Sequence, residues 1–257
     1  MDSPKGLRLV EKAVEVVDQL AQHGELTVAR LAEITGEPRS SLYRLVSSLE
    51  SLGLVEAGSS RGQVRLGTKL IAWGAATQAN LSVRERALPV MRDLNQVTEL
   101  TVYLVVKRGD RGVCMERLEG VRVATLVLML GGSLPLHQGA APRALLAFGD
   151  ESEWSTYVDT HLPQSAPSGE VISRSQFLDM LAAERKQGYT VSDEDVNTGI
   201  ASIGVPIFGY LGNLEAALSI SGIRDHVLGA NKGRNLGLLL DAGQRISELM
   251  GAPRRIQ

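Results

Sequence analysis

The sequence predicts an α+β protein of two domains, an N-terminal winged helix-turn-helix and a C-terminal domain of mixed helices and antiparallel strands. Three observations predict it. Residues 38–53 form an amphipathic pattern whose outer face carries Arg, Tyr and Ser but no acid. Two short helical segments precede this pattern, and an arginine-bearing hairpin follows it. After Glu99 the apolar spacing changes from helical to alternating, which indicates strands.

The composition is that of an ordinary globular protein with one large or two small domains. The chain has 257 residues, of which 44% are hydrophobic and 22% are charged. Its net charge of −2 implies no strong attraction to membranes or polyanions. Cys114 is the only cysteine, which excludes an intrachain disulfide and fits a reducing cytoplasm. We expect no secretion signal and no membrane span, because no apolar run is long enough.

Two helices are predicted before the amphipathic pattern. An apolar stripe at helical spacing over residues 10–21 predicts the first, which should end at Gly24 in a left-handed conformation. Thr27 is placed to cap the second helix, and Gly36 closes it. Pro38 then stands near the first position of the third helix. Short helices joined by a tight, glycine-containing turn predict a helix-turn-helix.

The third helix has two faces of different character. Its apolar stripe consists of Leu42, Leu45, Val46, Leu49 and Leu52. Its outer face carries Ser40, Tyr43, Arg44, Ser47 and Ser51. A cation, a phenol and hydroxyls suit phosphates and base edges, although such a face alone is more typical of an ordinary solvated helix. The neighbouring segments favour the DNA-binding interpretation.

A hairpin behind the third helix is the predicted wing. Residues 54–57 and 63–66 indicate short strands around the flexible loop 58–62. Arg61 and Arg65 would then reach phosphate or the minor groove, while the alternative is a surface hairpin. The predicted DNA-contacting residues are Arg39, Ser40, Ser41, Tyr43, Arg44, Ser47, Arg61 and Arg65.

The charge of this segment is local rather than general. Residues 1–67 are not basic overall, but between residues 39 and 65 four arginines stand against only Glu50 and Glu56. A local basic patch on a neutral background predicts a sequence-specific reader that binds as an oligomer. It argues against a nonspecific coating protein, whose affinity would depend on many phosphate contacts.

The rest of the chain predicts a helical connector and a larger α+β domain of about 170 residues with an antiparallel sheet. The predicted connector helices are 67–79 and 83–98. The predicted strands are 101–106, 112–118, 123–130, 189–191, 200–208 and 214–221, with a charged turn at 107–111. The predicted helices are 142–148, 151–160, 176–187 and 235–250.

Enzyme chemistry finds little support in the sequence. Its four histidines are scattered, and it has no HExxH, paired CxxC, phosphate loop or GxGxxG motif. It has no GxSxG nucleophile elbow, because its one GxSxG string, GSSRG at 58–62, lies in the predicted hairpin loop and not between a strand and a helix. His137 with Ser219 could form a hydrolase pair only in principle. We therefore predict no catalytic residue, metal ligand or cofactor. Cys114 is best interpreted as a small buried hydrophobic residue.

The ordered set of motifs resembles the IclR family of bacterial transcription regulators over nearly the whole chain. The matching segments are PRSSLYRL at 38–45, LESLGLV at 49–55, RLG at 65–67, LPLHQGA at 134–140, ALLA at 144–147, GIA at 199–201, PIF at 206–208 and AALSISG at 216–222. The resemblance implies an N-terminal winged helix and a GAF-like C-terminal domain that binds an effector. It also implies homodimers or homotetramers that sense small organic acids or aromatic catabolites.

Three segments depart from the family pattern. Pro142 and Arg143 replace a common Gly-Lys, which would stiffen the loop over the ligand. Val64 stands where the wing often has an aromatic residue, and residues 202–205 depart from an Ala-Ala run. The effector's identity therefore does not carry over from the family.

Eight residues are the predicted effector contacts. They are Leu128, Met129, Gly139, Ala140, Asp195, Asn197, Ser219 and Ser221. Gly139 and Ala140 would present N–H groups to a carboxylate, or simply begin a helix. Ser219 and Ser221 face one side of a strand and could bond a ligand or only backbone. Core packing is the alternative for the apolar pair, and a solvated loop for Asp195 and Asn197.

We therefore predict a cytoplasmic, sequence-specific transcription regulator whose operator affinity responds to a small molecule. Arg44, Tyr43, Ser40 and Ser41 would lie near bases or phosphates of double-stranded operator DNA. The predicted domains are a winged helix over 1–67, a helical linker over 68–98 and an effector-binding domain over 99–257. The alternatives are a metabolic enzyme or ligand-binding module with an N-terminal assembly domain, and a winged-helix regulator without a ligand.

Overall fold

A computed structural model describes residues 5–79, 82–121, 128–162 and 172–253. The chain divides into two compact units, Met1–Leu81 and Ser82–Gln257. The two helices of the predicted linker therefore belong to different units.

The first unit is a winged helix-turn-helix, as predicted. Its elements are α1 (Lys5–His23), β1 (Leu26–Thr27), α2 (Val28–Thr35), α3 (Arg39–Ser51), β2 (Val55–Ala57), β3 (Gln63–Leu66) and α4 (Lys69–Ala79). The strands form an antiparallel sheet in the order β1-β3-β2. The short strand β1 was not predicted, because two residues carry no periodic signal.

Local chemistry sets the ends of the helix-turn-helix. The Thr27 side chain accepts a hydrogen bond from the Arg30 N–H at 3.1 Å, which caps α2. Gly36 ends α2 with φ of 70°, a conformation that glycine adopts without strain. Pro38 directly precedes α3. Four members of the predicted α3 stripe are buried, whereas Leu52 is exposed.

The buried face of α1 differs from the predicted stripe. Val16 and Leu20 are its buried residues in the core of the first unit. Val10 and Val14, which the stripe included, are 60% and 53% exposed, and Leu9 beside them is 58% exposed. Because an amphipathic helix presents only one stripe to its own core, these residues form a second apolar face outside it.

The second unit combines a six-stranded antiparallel sheet with flanking helices. It comprises α5 (Val83–Thr98), β4 (Thr101–Arg108), β5 (Arg111–Leu118), β6 (Ser133–Pro135), α6 (Ala140–Ala147), α7 (Ser152–His161), α8 (Arg174–Gln187), β7 (Thr190–Asp193), β8 (Ile200–Phe208), β9 (Leu214–Ile223), α9 (Arg224–Leu228) and α10 (Lys232–Leu249). The strand order is β6-β5-β4-β9-β8-β7.

Most predicted elements of this unit are present, with three differences. Strands β4 and β5 continue through the predicted charged turn, so that only Gly109 and Asp110 connect them. The short elements β6 and α9 were not predicted. The predicted strand 123–130 lies outside the described residues except for 128–130, which are not in a strand.

Two cross-strand rows of side chains share one face of the sheet. One is the hydroxyl row, formed by the register partners Thr101, Ser221, Ser202 and Ser192. The other is the Tyr103 row, formed by Arg117, Tyr103, Ser219, Gly204 and Thr190. A Cβ on Gly204 would lie 2.7 Å from the Ala140 backbone, so this face packs against α6. Gly243 of α10 meets Val205, the next residue along β8, and therefore packs on the opposite face.

Candidate functional site

The outer face of α3 is exposed and holds cations without acidic partners. Arg39, Tyr43 and Arg44 are exposed, Tyr43 by 60% of its surface. Neither arginine side chain forms an ion pair or hydrogen bond with any residue that the structure describes. Because an unpaired exposed guanidinium keeps its five donors available to a ligand, this face can bind phosphates and base edges.

The serines of α3 divide into two groups. Ser40 and Ser47 are exposed and Ser41 is half-buried. Ser48 and Ser51 instead donate back to the helix, to the carbonyl oxygens of Arg44 and Ser48 at 3.0 and 2.8 Å. The predicted contact residues are therefore those whose hydroxyls are not already used by these backbone bonds.

The two wing arginines have different surroundings. Arg61 is exposed and forms no ion pair within the described part of the chain. Arg65 Nε lies 2.9 Å from Glu56, and its Nη1 lies 3.6 Å from Glu25. These two carboxylates offset the charge of Arg65. The side chain of Arg65 therefore holds the hairpin together, although it is about half exposed to solvent.

Glu25 clamps the wing from outside the hairpin, a role that sequence reasoning missed. Its carboxylate accepts hydrogen bonds from the Ser59 hydroxyl at 2.7 Å and from the Ser59 N–H at 2.8 Å. These bonds to Ser59, together with Arg65, hold the pKa of Glu25 below its usual range. No local pattern signals this clamp, because Glu25 and Ser59 are 34 residues apart.

A cavity of about 60 Å³ lies between the sheet and the start of α6. Six of the eight predicted effector residues line it: Leu128, Gly139, Ala140, Asn197, Ser219 and Ser221. Tyr103, Ser192 and Ser202 also line it and were not predicted. All three stand in the two cross-strand rows, so pairing between distant strands, which sequence spacing does not reveal, brings them to the cavity.

The remaining two predicted residues lie outside the cavity lining. Met129 is 52% exposed, and its sulfur lies 3.5 Å from Nη1 of Arg117. The Asp195 carboxylate accepts hydrogen bonds from Arg143 Nη1 at 2.7 Å and from the Ser192 hydroxyl. Asp195 therefore touches the cavity wall through Ser192.

The polar groups of the cavity differ in how far they are already satisfied. The Ala140 N–H, predicted to meet a carboxylate, donates to the Ser202 hydroxyl at 3.3 Å. The Ser221 hydroxyl donates to the Ala201 carbonyl oxygen at 3.2 Å. The Ser219 side chain, 3% exposed, has no hydrogen-bond partner among the described residues. Ser219 is therefore the hydroxyl most available to a ligand.

A buried ionic network supports this cavity. Arg143 is 3% exposed, and its Nε lies 3.0 Å from both carboxylate oxygens of Glu184. Its Nη groups donate to Asp195 and to the Val191 carbonyl oxygen. Burial disfavours the charged guanidinium, but Glu184 and Asp195 outweigh that cost and raise the pKa of Arg143. The network joins α6, α8 and the segment around β7.

Comparison with known proteins identifies both units. The IclR helix-turn-helix model matches residues 9–58, and the model of the bacterial transcriptional regulator IclR C-terminal domain matches residues 75–248. The HTH-type transcriptional regulator KipR of Bacillus subtilis (strain 168) is 30% identical over 215 residues, covering 84% of this chain and 86% of KipR. XynR of Escherichia coli (strain K12) is 27% identical over 248 residues, covering 96% and 98%.

Solved structures share the fold. The Agobacterium tumefaciens repressor BlcR superposes with a TM-score of 0.83 at 24% identity, covering 97% of this chain and all of BlcR (100%). The Thermotoga maritima IclR gives a TM-score of 0.62 at 28% identity, covering 96% and 100%. Among the described residues, no helix is both long and apolar enough to cross a membrane.

Proposed function

The chain belongs to the IclR family of bacterial transcription regulators, and from this premise we propose how it contacts DNA and its effector. As a family member it is a DNA-binding regulator of transcription and not an enzyme. Effector control of operator affinity is the general mode of the family. We assign DNA contact and effector contact to particular residues of this chain.

The recognition surface in our proposal is the outer face of α3, which enters the major groove. The observation that supports this most is that Arg39 and Arg44 are exposed beside Tyr43 and have no acidic partner in the described part of the chain. Arg44, Tyr43, Ser40 and Ser41 approach base edges or phosphates, and Ser47 extends the same face. Arg39 and Arg61 contact phosphates and position the helix.

Arg65 has a different task in this proposal. Its ion pairs with Glu56 and Glu25 hold the two strands and the tip of the wing together. Arg65 therefore contributes to DNA binding mainly by presenting Arg61, while its own phosphate contact is secondary. An offset charge releases fewer counterions from DNA than a free one, so the two arginines are distinguishable by experiment.

The effector site in our proposal is the 60 Å³ cavity of the second unit. Ser219 and Asn197 supply hydrogen bonds, Leu128 supplies apolar contact, and Gly139 with Ala140 supplies backbone N–H groups. A ligand group that accepts the Ala140 N–H must displace the Ser202 hydroxyl, which couples ligand binding to the contact between α6 and β8. Differential affinity for two arrangements of this contact would change the operator affinity. A small organic acid, whose carboxylate can accept from these N–H and hydroxyl groups, fits the polar lining of this cavity.

The regulator acts, we propose, as a homodimer or homotetramer in the cytoplasm, where operator DNA is found. The exposed apolar face of Leu9, Val10 and Val14 on α1 supports association with a second copy. Two recognition helices would then read two half-sites.

The testing experiment is a salt titration of DNA binding by the full chain. Its probe is a labelled duplex from the region upstream of its own gene, with an unrelated duplex as the control. The expected result is preferential binding whose affinity falls steeply as salt rises. Equal affinity for both duplexes, or no binding at low salt, would contradict the proposal.

A further inference from the structure

We propose that Arg117 forms an anion subsite beside the effector cavity, where one edge of its guanidinium binds the carboxylate of the ligand. This inference rests on the proposed function, because it requires a ligand in the cavity. It adds the charged group that distinguishes an acid from a neutral molecule of the same shape.

Arg117 is buried with part of its hydrogen-bonding capacity unused. Its side chain is 7% exposed, yet Nε and Nη2 have no hydrogen-bond partner among the residues that the structure describes. Buried polar atoms are almost always hydrogen-bonded, and a buried N–H donor that lacks an acceptor is costly. These two donors indicate that an acceptor is supplied from outside the described residues, as a ligand would be.

The two unpaired atoms form one chemical unit. Nε–H and the adjacent Nη2–H point from the same edge of the planar guanidinium. A carboxylate bridges this edge with two parallel, charge-assisted hydrogen bonds. The unused donors therefore match a carboxylate better than a single hydroxyl or carbonyl oxygen.

The register of the sheet places Arg117 next to the cavity. Arg117 pairs with Tyr103 across β5 and β4, and Tyr103 pairs with Ser219 across β4 and β9. The three side chains therefore share one face, and Tyr103 and Ser219 both line the cavity. The guanidinium carbon lies 5.8 Å from the centre of the Tyr103 ring, a cation–π distance.

Two other side chains contact the guanidinium of Arg117. A Glu119 oxygen lies 3.2 Å from Nη2 without forming a hydrogen bond, and Glu119 is 64% exposed. The Met129 sulfur covers Nη1 at 3.5 Å and is itself half exposed. Both side chains can yield to a ligand, because Glu119 gains hydration when it leaves and Met is flexible.

In Arg111 of the same strand, the corresponding edge of the guanidinium is hydrogen-bonded at both nitrogens. Its Nε donates to the Ser133 hydroxyl at 2.7 Å, and its Nη2 donates to the Ser133 carbonyl oxygen at 2.9 Å. The same two atoms that are unpaired in Arg117 are thus both paired in Arg111. Arg111, which is more exposed than Arg117, is therefore the control for the ligand-binding experiment.

The first experiment compares carboxylates with amides of the same shape by isothermal titration of the full chain. The probes are acetate and acetamide, propionate and propionamide, and benzoate and benzamide. We expect at least one acid to bind at least 10-fold more tightly than its amide. Arg117→Met should abolish this preference, Arg117→Lys should restore only part of it, and Arg111→Met should leave it unchanged.

The outcomes separate this inference from the proposed function. If amides bind as tightly as acids, or if Arg117→Met keeps the preference, the anion subsite is wrong while the cavity stands. If neither series binds, the inference falls together with the proposed effector cavity.

A second experiment needs no ligand. Removing a buried guanidinium whose Nε and Nη2 lack acceptors should leave the melting temperature of Arg117→Met equal to or above that of the original protein. Arg143→Met, which removes a buried guanidinium that is bonded at Nε and at both Nη groups, should lower it. A fall for Arg117→Met as large as that for Arg143→Met would show that Arg117 is a structural residue and would overturn the inference.

Discussion

The outer face of α3 and the surroundings of the proposed effector cavity use the same kinds of polar group in opposite ways. On α3, Arg39 and Arg44 point into solvent, and their side chains bond no described residue. Around the cavity, Arg143 is buried and bonded to Glu184 and to the partly exposed Asp195. An exposed polar face can meet a large partner without rearrangement. A buried one binds a small partner through the few groups that are left unbonded, such as Ser219, or by exchanging an internal bond for an external one.

The largest expected effect concerns the buried ionic network around Arg143. Arg143→Met leaves the buried Glu184 without its cation, and removing one partner of a buried ion pair typically costs about 3–5 kcal/mol. We expect the free energy of unfolding of the second unit to fall by about this amount in a urea titration.

An exposed ion pair provides the control for that variant. Arg224 and Asp193 are about half exposed and lie 2.6 Å apart. Because solvent screens such pairs, Arg224→Met should leave the urea midpoint unchanged within error. Equal losses for Arg143→Met and Arg224→Met would show that burial does not set the strength of the network.

The next prediction concerns the two exposed arginines of the wing, Arg61 and Arg65. Arg61→Ala should reduce the slope of log affinity against log salt by about 1, because a free arginine at a phosphate releases about one counterion. Arg65→Ala should reduce it by clearly less, since Glu56 and Glu25 already offset its charge. Fluorescence anisotropy at several salt concentrations measures both slopes. Equal reductions would assign both arginines to phosphate contact.

The sequence predicts a region well when the residues that contact each other there lie close together along the chain. The face of α3 and the capped turn before it depend on residues within a few positions, so helical spacing identified them. The sequence also predicted that Ser219 and Ser221 face one side of a strand, because strand alternation is local, and both line the cavity. Arg143 and Glu184 are 41 residues apart, and their pairing depends on how α6 meets α8. No spacing rule reports such a contact, so the network and the Arg117 edge became evident only in the folded chain.

The predicted apolar stripe of α1 was wrong in part, for a related physical reason. The stripe over 10–21 contains two adjoining apolar surfaces, and only the one through Leu20 meets the core of the unit. Periodicity measures how apolar a face is and does not say which partner covers it. Val10 and Val14 therefore resembled core residues while lying on the surface.

The smallest expected effect concerns Cys114, which lies in the core behind the cavity. Burial raises the pKa of its thiol to about 11 from an ordinary value of 9.0. At pH 8 its thiolate fraction is then about 100-fold lower than that of an ordinary thiol. Mass spectrometry should show negligible alkylation by iodoacetamide in the native protein and full alkylation in urea. Equal rates would place the thiol at an accessible surface.

The most direct test of the central claim is an operator titration of Arg44→Ala, with Arg92→Ala as an exposed arginine of the second unit for comparison. A direct base or phosphate contact by Arg44 is worth about 1–3 kcal/mol. We therefore expect Arg44→Ala to lose operator affinity by about 10-fold or more, while Arg92→Ala stays within twofold of the original protein. An Arg44→Ala variant that also stays within twofold would contradict the assignment of α3 as the recognition helix.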